Sequence, residues 1–330
     1  MRTFTRRVVL GVAMAGAAAF AALPQAVAQD AWPDGPVTIV VPFAAGGSAD
    51  RVARNIAPFL EEELGTSVVV ENRAGAAGQI GTMQVLARPA DGNTILLHAQ
   101  PYLSASIVLQ GAQFGIDDFE VLNVHNVGNI SVTVRSDAPY ETFDDLHQAI
   151  MENPGSMSMG TVRGGASHLL ALLLKDKLGW ENRLVTYDSG APVRTAILGG
   201  QIDASTNGAV SDAAMKPKVR SLAVSTSTGI SAFSDAPYLN DALEQYGAEV
   251  PEIGDVRFLA VKAGTKEAYP ERFQALLDAY EAVMENEEYQ ALLQTQGAAE
   301  ETSFRGPEEG TEIVRNMHEL MTEYQSAFQQ

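Results

Sequence analysis

The feature that most constrains the fold is an alternation of strand and helix signals that runs once and then starts again. The first run opens with the β-branched stretch VTIVV at Val37–Val41, which is typical of a strand buried on both faces. A helical pattern at residues 50–64, a strand at 68–70, a helix at 78–87 and a strand at 94–97 follow. Short links between such alternating elements predict a parallel sheet with helices on its faces.

The second run has the same order over a similar length of chain. It comprises strands at residues 130–134, 157–160, 184–187, 202–205 and 221–224, and helices at 143–151, 168–178 and 193–198. We therefore expect a second α/β unit built like the first.

One more strand, at residues 257–261, comes after both runs. Only helices follow it, at residues 271–284, 287–296 and 307–328. Because a lone strand cannot form a sheet, we expect it to return to the first sheet. The sequence thus predicts an α/β fold of two lobes, each a mainly parallel sheet flanked by helices. Lobe 1 is discontinuous, at residues 29–128 and 228–330, and lobe 2 occupies residues 129–227.

Composition agrees with two folded domains and excludes several functions. The chain has 330 residues, of which 46% are hydrophobic and 19% charged, enough to form a buried core. Its 22 basic and 41 acidic side chains give a net charge of −19, which argues against nucleic acid as a partner. The absence of cysteine excludes disulfides, thiolate metal sites, a cysteine nucleophile and a lipid-modified cysteine.

The first 28 residues have the pattern of a secretory signal peptide. Arg2, Arg6 and Arg7 precede a 16-residue apolar run, which is shorter than the roughly 20 residues of a membrane span. Cleavage is expected between Ala28 and Gln29, after a small-x-small triplet. The twin arginines leave both the general secretory route and the twin-arginine route open. We expect a periplasmic protein whose mature chain has 19 basic and 41 acidic side chains, a net charge of −22.

Catalytic and cofactor motifs are missing from the sequence. It contains no Gly-x-Ser-x-Gly elbow, no phosphate-binding P-loop and no His-Glu-x-x-His motif, and its five histidines lack metal-ligand spacing. The glycines Gly75, Gly78 and Gly81 do not match the dinucleotide fingerprint, and a tight approach to a helix start explains them better. We expect no catalytic residues, no metal and no cofactor.

Three similar loops each connect a strand end to a helix start. They are residues 43–49 (FAAGGSA), 160–167 (GTVRGGAS) and 188–192 (DSGAP). Helix starts carry unpaired N–H groups and partial positive charge, and small residues let a ligand approach them. Each loop alone has an ordinary packing explanation, but the three together predict a site for a small organic anion, most simply a carboxylate, in a cleft between the lobes.

Individual side chains add to this hypothesis. Arg163 is either a bidentate carboxylate clamp or a solvent-facing loop arginine. Phe43 and Tyr102 are candidates for the cleft wall, and Asn207 for a hydrogen-bond donor to the ligand. Asp188 is expected to point away from an anion. The full set of expected ligand-binding residues is Phe43, Ala44, Gly46, Gly47, Ser48, Gln100, Arg163, Gly165, Ala166, Ser167, Ser189, Gly190, Ala191 and Asn207.

Longer stretches resemble a known family. The segment at residues 32–82, with VVENRAGAAGQIG at 69–81, is similar to the opening of the Bug-type substrate-binding proteins of tripartite tricarboxylate transporters. The resemblance continues through ADGNTILL at 90–97, GASHLLALLLKDKLG at 165–179, YDSGAPVRTAILGGQIDAS at 187–205, VRSLAVST at 219–226 and FLAVKAGT at 258–265.

This resemblance implies a two-lobed Venus-flytrap fold with a carboxylate enclosed between the lobes, partly through ordered water. It also implies delivery of the ligand to a membrane complex of one large and one small subunit. The loops depart from the family pattern. The first reads AGGSAD at residues 45–50 where Pro-Gly-Gly-Gly-Thr-Asp is usual, and the third has Asp188 in place of a basic residue and its Ser and Gly exchanged. A relative's ligand therefore does not transfer directly.

We interpret the chain as a monomeric, exported solute-binding protein without catalytic activity. A second interpretation is a sensor subunit that presents its ligand to a membrane signalling kinase. A third is a secreted hydrolase that uses Ser48 or Ser167 with His168 nearby, which is weakly supported because a serine nucleophile needs a positioned base and an orienting group.

Overall fold

The computed structural model describes residues 32–227 and 229–329. The expected signal peptide and its cleavage site lie outside the described residues. The described part contains ten strands: β1 (Val37–Val41), β2 (Val68–Asn72), β3 (Thr94–Gln100), β4 (Phe119–Arg135), β5 (Ser158–Val162), β6 (Arg183–Tyr187), β7 (Ala204–Gly208), β8 (Val219–Val224), β9 (Gly254–Lys262) and β10 (Thr302–Arg305).

Helices flank these strands along the whole described chain. They are α1 (Ser48–Leu64), α2 (Gln79–Ala87), α3 (Tyr102–Val108), α4 (Phe143–Glu152), α5 (Ala166–Leu178), α6 (Gly190–Leu198), α7 (Ala209–Ala213), α8 (Leu239–Leu243), α9 (Thr265–Ala268), α10 (Pro270–Glu285), α11 (Glu287–Thr295) and α12 (Pro307–Glu323).

Local chemistry sets where several of these helices begin and end. Helix α1 ends at Gly65 and α5 at Gly179, and both glycines adopt the left-handed conformation that closes a helix (φ 64° and 65°). Helix α4 begins with a capping box, in which Thr142 accepts a hydrogen bond from the N–H of Asp145 and the Asp145 carboxylate accepts one from the N–H of Thr142.

The strand order is β2-β1-β3-β9-β4-β7-β5-β6, with β8 and β10 also paired to β4. Strand β1 pairs in parallel with β2 and β3, and β5 pairs in parallel with β6 and β7. Strand β9 runs antiparallel to β3 and β4 and so returns to the first sheet. The predicted α/β class is confirmed, and the antiparallel ladders of β9 and β4 make the sheet a mixed one.

Strand β4 joins the two halves of the molecule. Its residues 119–129 pair with β9, whereas residues 130–135 pair with β7 and β8. Strands β4 and β9 approach closely where β4 changes partner. A Cβ on Gly254 would lie only 2.3 Å from the backbone oxygen of Gly128. The Glu301 carboxylate accepts a hydrogen bond of 2.8 Å from the N–H of Asn129 at the same point. We propose that the lobes, residues 29–128 with 228–330 and residues 129–227, divide here.

Apolar residues on both faces of the first sheet explain why VTIVV forms an interior strand. Ile39 of β1 and Leu97 of β3 pack with α1 and α10, whereas Val40 and Leu96 point to the opposite face and join a larger core. Complete burial of each such Ile or Leu side chain contributes about 1.5–3 kcal/mol. The larger core also includes α5 and α12, so the last long helix packs with residues of both halves.

None of the helices within residues 32–227 and 229–329 combines the length and hydropathy of a membrane span.

Candidate functional site

The first loop connects β1 to α1 and leaves the start of that helix uncapped by any side chain. Gly46 is left-handed (φ 80°), and its N–H donates to the Asp50 carboxylate at 2.7 Å. Burial favours a higher pKa for Asp50, but the hydrogen bonds from Gly46 and Arg54 outweigh it, so the pKa lies below its ordinary value. Asp50 thus braces its own loop, and the first N–H groups of α1, from Ser48 onward, have no partner within the helix.

The second loop connects β5 to α5, and Ser167 holds it in shape. The Ser167 hydroxyl oxygen accepts hydrogen bonds of 3.1 Å from the Val162 N–H and from the Thr161 hydroxyl. His168 accepts a 3.2 Å hydrogen bond from the N–H of Gly164 through Nδ1, and burial lowers its pKa to about 4. Ser167 and His168 therefore serve the backbone of the loop and do not form the nucleophile and base of a hydrolase.

The third loop connects β6 to α6 and is the most exposed of the three. Ser189 and Ala191 are exposed, and Gly190 is half-buried against Asn207, whose Oδ1 would lie 2.7 Å from a Cβ at position 190. The Asn207 amide is buried and donates to Asp212 at 2.8 Å and to the Gly190 oxygen at 3.4 Å. Asn207 thus supports the loop from inside, and its role as a ligand donor stays a prediction.

Asp212, the partner of Asn207, is a buried carboxyl group with a raised pKa. Burial raises the pKa of Asp212 to about 6, although hydrogen bonds from Asn207, Thr133 and Ser131 oppose the shift. The group lies on the inner side of the third loop and forms part of its support.

Of the remaining predicted residues, Phe43 opens the first loop and Gln100 lies outside the three loops, at the end of β3. Gln100 is fully buried, where its amide donates to the Val314 oxygen at 3.0 Å and accepts from the Ser104 N–H at 3.2 Å. Phe43 is half-buried and makes edge contacts with the rings of His98 and Tyr102, at centroid distances of 5.1 and 6.1 Å. Gln100 therefore ties β3 to α3 and α12, while Phe43 and Tyr102 form one aromatic wall.

Arg163 lies on the outer side of the second loop. Its side chain is exposed and lines a cavity of about 790 Å³ together with His168 and residues at the end of the chain, including Tyr324 and Phe328. Within the described residues its guanidinium has no ion-pair partner within 4.0 Å. This position favours a solvent-facing arginine, and a clamp role for Arg163 stays a prediction.

The sequence analysis missed two charged residues that lie between the first and second loops. Arg257 of β9 donates to the Ser48 hydroxyl at 2.9 Å and so joins β9 to the start of α1. Asp255, two residues earlier, lies on the same face of β9 as Arg257. Burial raises the pKa of Asp255, and Arg257 and the Ala166 N–H oppose that shift.

Tyr102 lies beside Gly165, immediately before the start of α5. A Cβ at Gly165 would lie 3.1 Å from the Tyr102 hydroxyl, so the glycine leaves space for the phenol. Burial raises the pKa of Tyr102 above its ordinary value, and the negative charge of Asp255 adds to the effect. The structure thus brings the starts of α1 and α5 together around Arg257, Asp255 and Tyr102. The N–H, hydroxyl and guanidinium groups there are donors of the kind that anion sites in proteins use.

The alternation of charged and apolar residues in β9 is the signal that would have revealed these residues. In GDVRFLAVK, Asp255 and Arg257 are two apart, so they share one face of a strand whose other residues are mostly apolar.

Within the described chain, no group of three or more His, Cys, Asp or Glu side chains is arranged to hold a metal ion.

Comparisons with known proteins concern the family and the fold of this chain. The family model described as "Tripartite tricarboxylate transporter family receptor" matches residues 52–303. A UPF0065 protein from the TAR-I ttuE-ttuC' intergenic region of Agrobacterium vitis is 34% identical over 220 residues, which are 66% of this chain and 64% of the relative. The chain therefore spans slightly less than two thirds of that relative's length. Protein BugT of Bordetella pertussis is 31% identical over 229 residues, 66% of this chain and 69% of BugT.

Solved structures show the same architecture. A TctC solute-binding protein from Polaromonas, solved without ligand, superposes with a TM-score of 0.78 at 25% identity, covering 90% of this chain and 99% of that one. Rpa4515 of R. palustris, solved with adipate, superposes with a TM-score of 0.65 at 26% identity and coverages of 89% and 96%. The predicted two-lobed binding-protein fold is thereby confirmed.

Proposed function

Because this chain belongs to the family of tripartite tricarboxylate transporter receptors, we propose that it encloses a small organic carboxylate between its two lobes and delivers it to a membrane transporter. The family and its solved relatives are substrate-binding proteins and not enzymes. The observation that carries the proposal is the meeting of two helix starts, at Ser48 and at Ala166, around Arg257 and Tyr102.

A carboxylate is the ligand class that this junction favours. Backbone N–H groups at the start of α1, the Ser48 hydroxyl and the Arg257 guanidinium are all hydrogen-bond donors, and a carboxylate is an acceptor only. Rpa4515, which shares the fold, was solved with adipate, a carboxylate. Gly47 lets such a ligand reach the backbone at the start of α1, since this position has no side chain to block the approach.

The proposed ligand-binding set remains the one that the sequence predicts. It consists of Phe43, Ala44, Gly46, Gly47, Ser48, Gln100, Arg163, Gly165, Ala166, Ser167, Ser189, Gly190, Ala191 and Asn207, to which we add Tyr102, Asp255 and Arg257.

Partner and location follow from the family and from the first 28 residues. We expect export to the periplasm after cleavage near Ala28, a monomeric mature chain, and a membrane partner with one large and one small subunit.

The alternative function, a sensor subunit for a signalling kinase, needs the same liganded pair of lobes. Loss of ligand uptake after deletion of the gene supports transport, whereas normal uptake with a lost transcriptional response supports sensing.

Native mass spectrometry of the purified protein tests the proposed function most directly. We expect a co-purified small acid whose mass disappears after unfolding and refolding, and which titration calorimetry shows to bind again at one site per chain. A protein that retains no acid and gives no heat with a panel of small carboxylates would rule out the proposal.

A further inference from the structure

A cavity of about 790 Å³ lies between helix α5, strand β6 and the segment that follows α12, and none of its lining residues belongs to the junction of the two helix starts. We propose that this cavity is a second ligand site, which binds an amphipathic monocarboxylate, an acid with one carboxylate and an apolar chain. The carboxylate faces Arg163, and the chain lies between α5 and Phe328. The volume of the cavity falls within the range of about 300–1,000 Å³ that small-molecule sites occupy.

One side of α5 forms the first wall of the cavity. His168, Leu172 and Lys175 line it at spacings of four and three residues, so they follow one another along the same side of the helix. Leu184 and Thr186 of β6 form the second wall. Strand β6 is the last in the strand order, so the cavity lies beside the open edge of the sheet.

The segment after α12 forms the third wall, and two contacts with α5 hold it in place. The Tyr324 hydroxyl donates to the Asp176 carboxylate at 2.9 Å. The Phe328 ring meets the His168 ring edge-on, with 4.8 Å between the ring centroids. These contacts place an aromatic ring opposite the leucines of α5 and β6, so the middle of the cavity offers apolar surface to a ligand.

The carboxylate end of the ligand is assigned by Arg163, which is exposed beside the second loop and has no ion-pair partner within 4.0 Å among the described residues. His168 adds a neutral donor, since its Nδ1 accepts from the Gly164 N–H at 3.2 Å and the ring proton is then on Nε2. Burial lowers the pKa of His168 to about 4, and the charge of Arg163 adds to the shift, so the ring is uncharged at neutral pH. One guanidinium and one N–H donor suit one carboxylate.

The far end of the cavity is acidic. Asp176 follows His168 by eight residues on α5, which places it about 12 Å along the helix from the carboxylate end. Asp176 and Glu323 are the acids of the lining, and Lys175 is the one cation beside them, with its ammonium group already bound to the Asn182 oxygen at 2.6 Å. A second ligand carboxylate would add negative charge to this end, so the site favours a single carboxylate followed by an apolar chain.

Trp180 is a built-in reporter of the cavity. It belongs to the lining, and its indole donates a 2.9 Å hydrogen bond to His147. The sequence has two tryptophans, so Trp32→Phe leaves Trp180 as the sole tryptophan emitter of the mature protein.

Fluorescence titration of this Trp32→Phe protein with octanoate tests the proposal. We expect a saturable change of the Trp180 emission at one site per chain. Octylamine, which has the same chain and the opposite charge, should bind about tenfold or more weakly, because Arg163 repels it. Butanoate should also bind about tenfold or more weakly, because it lacks most of the methylene groups that the apolar walls bury.

Three variants in the Trp32→Phe background locate the bound octanoate. Arg163→Gln should weaken its binding about tenfold, since a charge-assisted hydrogen bond is lost. Arg183→Gln removes the same charge at an exposed position of β6 outside the lining, and it should leave the affinity unchanged. Arg257→Gln changes the proposed carboxylate site and should also leave the Trp180 response unchanged. Circular dichroism checks that all three variants are folded.

Each result either supports or overturns the second site. A saturable response that only Arg163→Gln weakens supports it. The proposal is overturned by the absence of a saturable response, by equal affinity for octylamine or butanoate, by wild-type affinity in Arg163→Gln, or by an equal loss in Arg183→Gln. Loss of the response in Arg257→Gln would also overturn it, because octanoate would then bind in the carboxylate site. The proposed function is tested separately, by the co-purified acid.

Discussion

At the scale of single residues, the first loop depends on a position without a side chain. Gly47 is extended (φ −72°), so its conformation is open to other residues, but a Cβ there would lie 3.2 Å from the Ala44 oxygen. The absence of a side chain at Gly47 therefore keeps the loop compact and the start of α1 accessible. Glycine is needed here for ligand access and not for an unusual backbone conformation.

Replacement of Gly47 by valine is expected to abolish carboxylate binding while the protein still folds. The branched side chain would displace the ligand from the N–H groups of α1 and push against Ala44. Gly35→Val, at the other end of β1 and with no atom within 4 Å of its Cβ, is the matched control. Calorimetry with the co-purified acid measures both variants. Wild-type affinity in Gly47→Val would remove the first loop from the site.

Glu301 predicts a pH dependence of stability. Burial raises its pKa to about 7 from 4.5, so between these values the native state holds a proton that the unfolded chain has released. The free energy of unfolding should therefore fall as pH rises from about 4.5 to 7. Glu301→Gln removes this loss, and we expect it to be more stable than wild type by about 1–2 kcal/mol at pH 8 and equal to it at pH 4. Urea unfolding at both pH values checks the difference; an equal difference at the two values would contradict it.

Sequence reasoning found the loops of the site but not all of its charged side chains. Runs of Gly, Ala and Ser between a strand and a helix are local patterns and can be read directly. Arg257 reaches Ser48 from 209 residues away, and that contact depends on β9 returning to the first sheet. The return was predicted, but its register, which decides the neighbours of Arg257, depends on side-chain packing across both lobes.

At the scale of secondary-structure elements, β4 was the least predictable. Only residues 130–134 were predicted as a strand, whereas β4 covers Phe119–Arg135. Its first part contains Asn123, His125 and Asn126, which interrupt the apolar pattern but are buried. Their partners come from distant elements: His125 lies beside Tyr280, and Asn123 accepts from the Arg305 N–H at 2.8 Å. Buried polar residues with such partners cannot be recognised from local periodicity.

The close approach of β4 and β9 predicts that a side chain at Gly254 lowers the stability of the protein. A Cβ at this position would lie 2.3 Å from the Gly128 oxygen, a backbone atom that moves only if the strands separate. Gly254→Ala should lower the free energy of unfolding by about 1–3 kcal/mol. Gly115→Ala, where the nearest atom lies 4.0 Å from the new Cβ, is the control. Urea unfolding monitored by circular dichroism compares the two, and equal midpoints would show that the junction tolerates a side chain.

At the scale of the whole molecule, the charge and the proposed ligand have the same sign. The chain has a net charge of −19, or −22 without residues 1–28, so its long-range field repels a carboxylate. Binding must then come from short-range donors such as the N–H groups of α1 and the Arg257 guanidinium. An enclosed site of this kind differs from a basic surface patch in how it responds to salt, since salt screens long-range forces most strongly.

Titration calorimetry at low and high ionic strength is expected to show nearly constant affinity, or a slight gain with salt, because the screened force is repulsive. Arg257→Gln should weaken binding by about 2 kcal/mol at both ionic strengths, since a charge-assisted hydrogen bond to an enclosed carboxylate is lost. Arg163→Ala is the comparison: its exposed guanidinium should contribute much less, whereas a loss of about 2 kcal/mol would make it the clamp. A steep fall of affinity with salt in all three proteins would mean that a charged surface captures the ligand, and the junction of the two helix starts would no longer be the site.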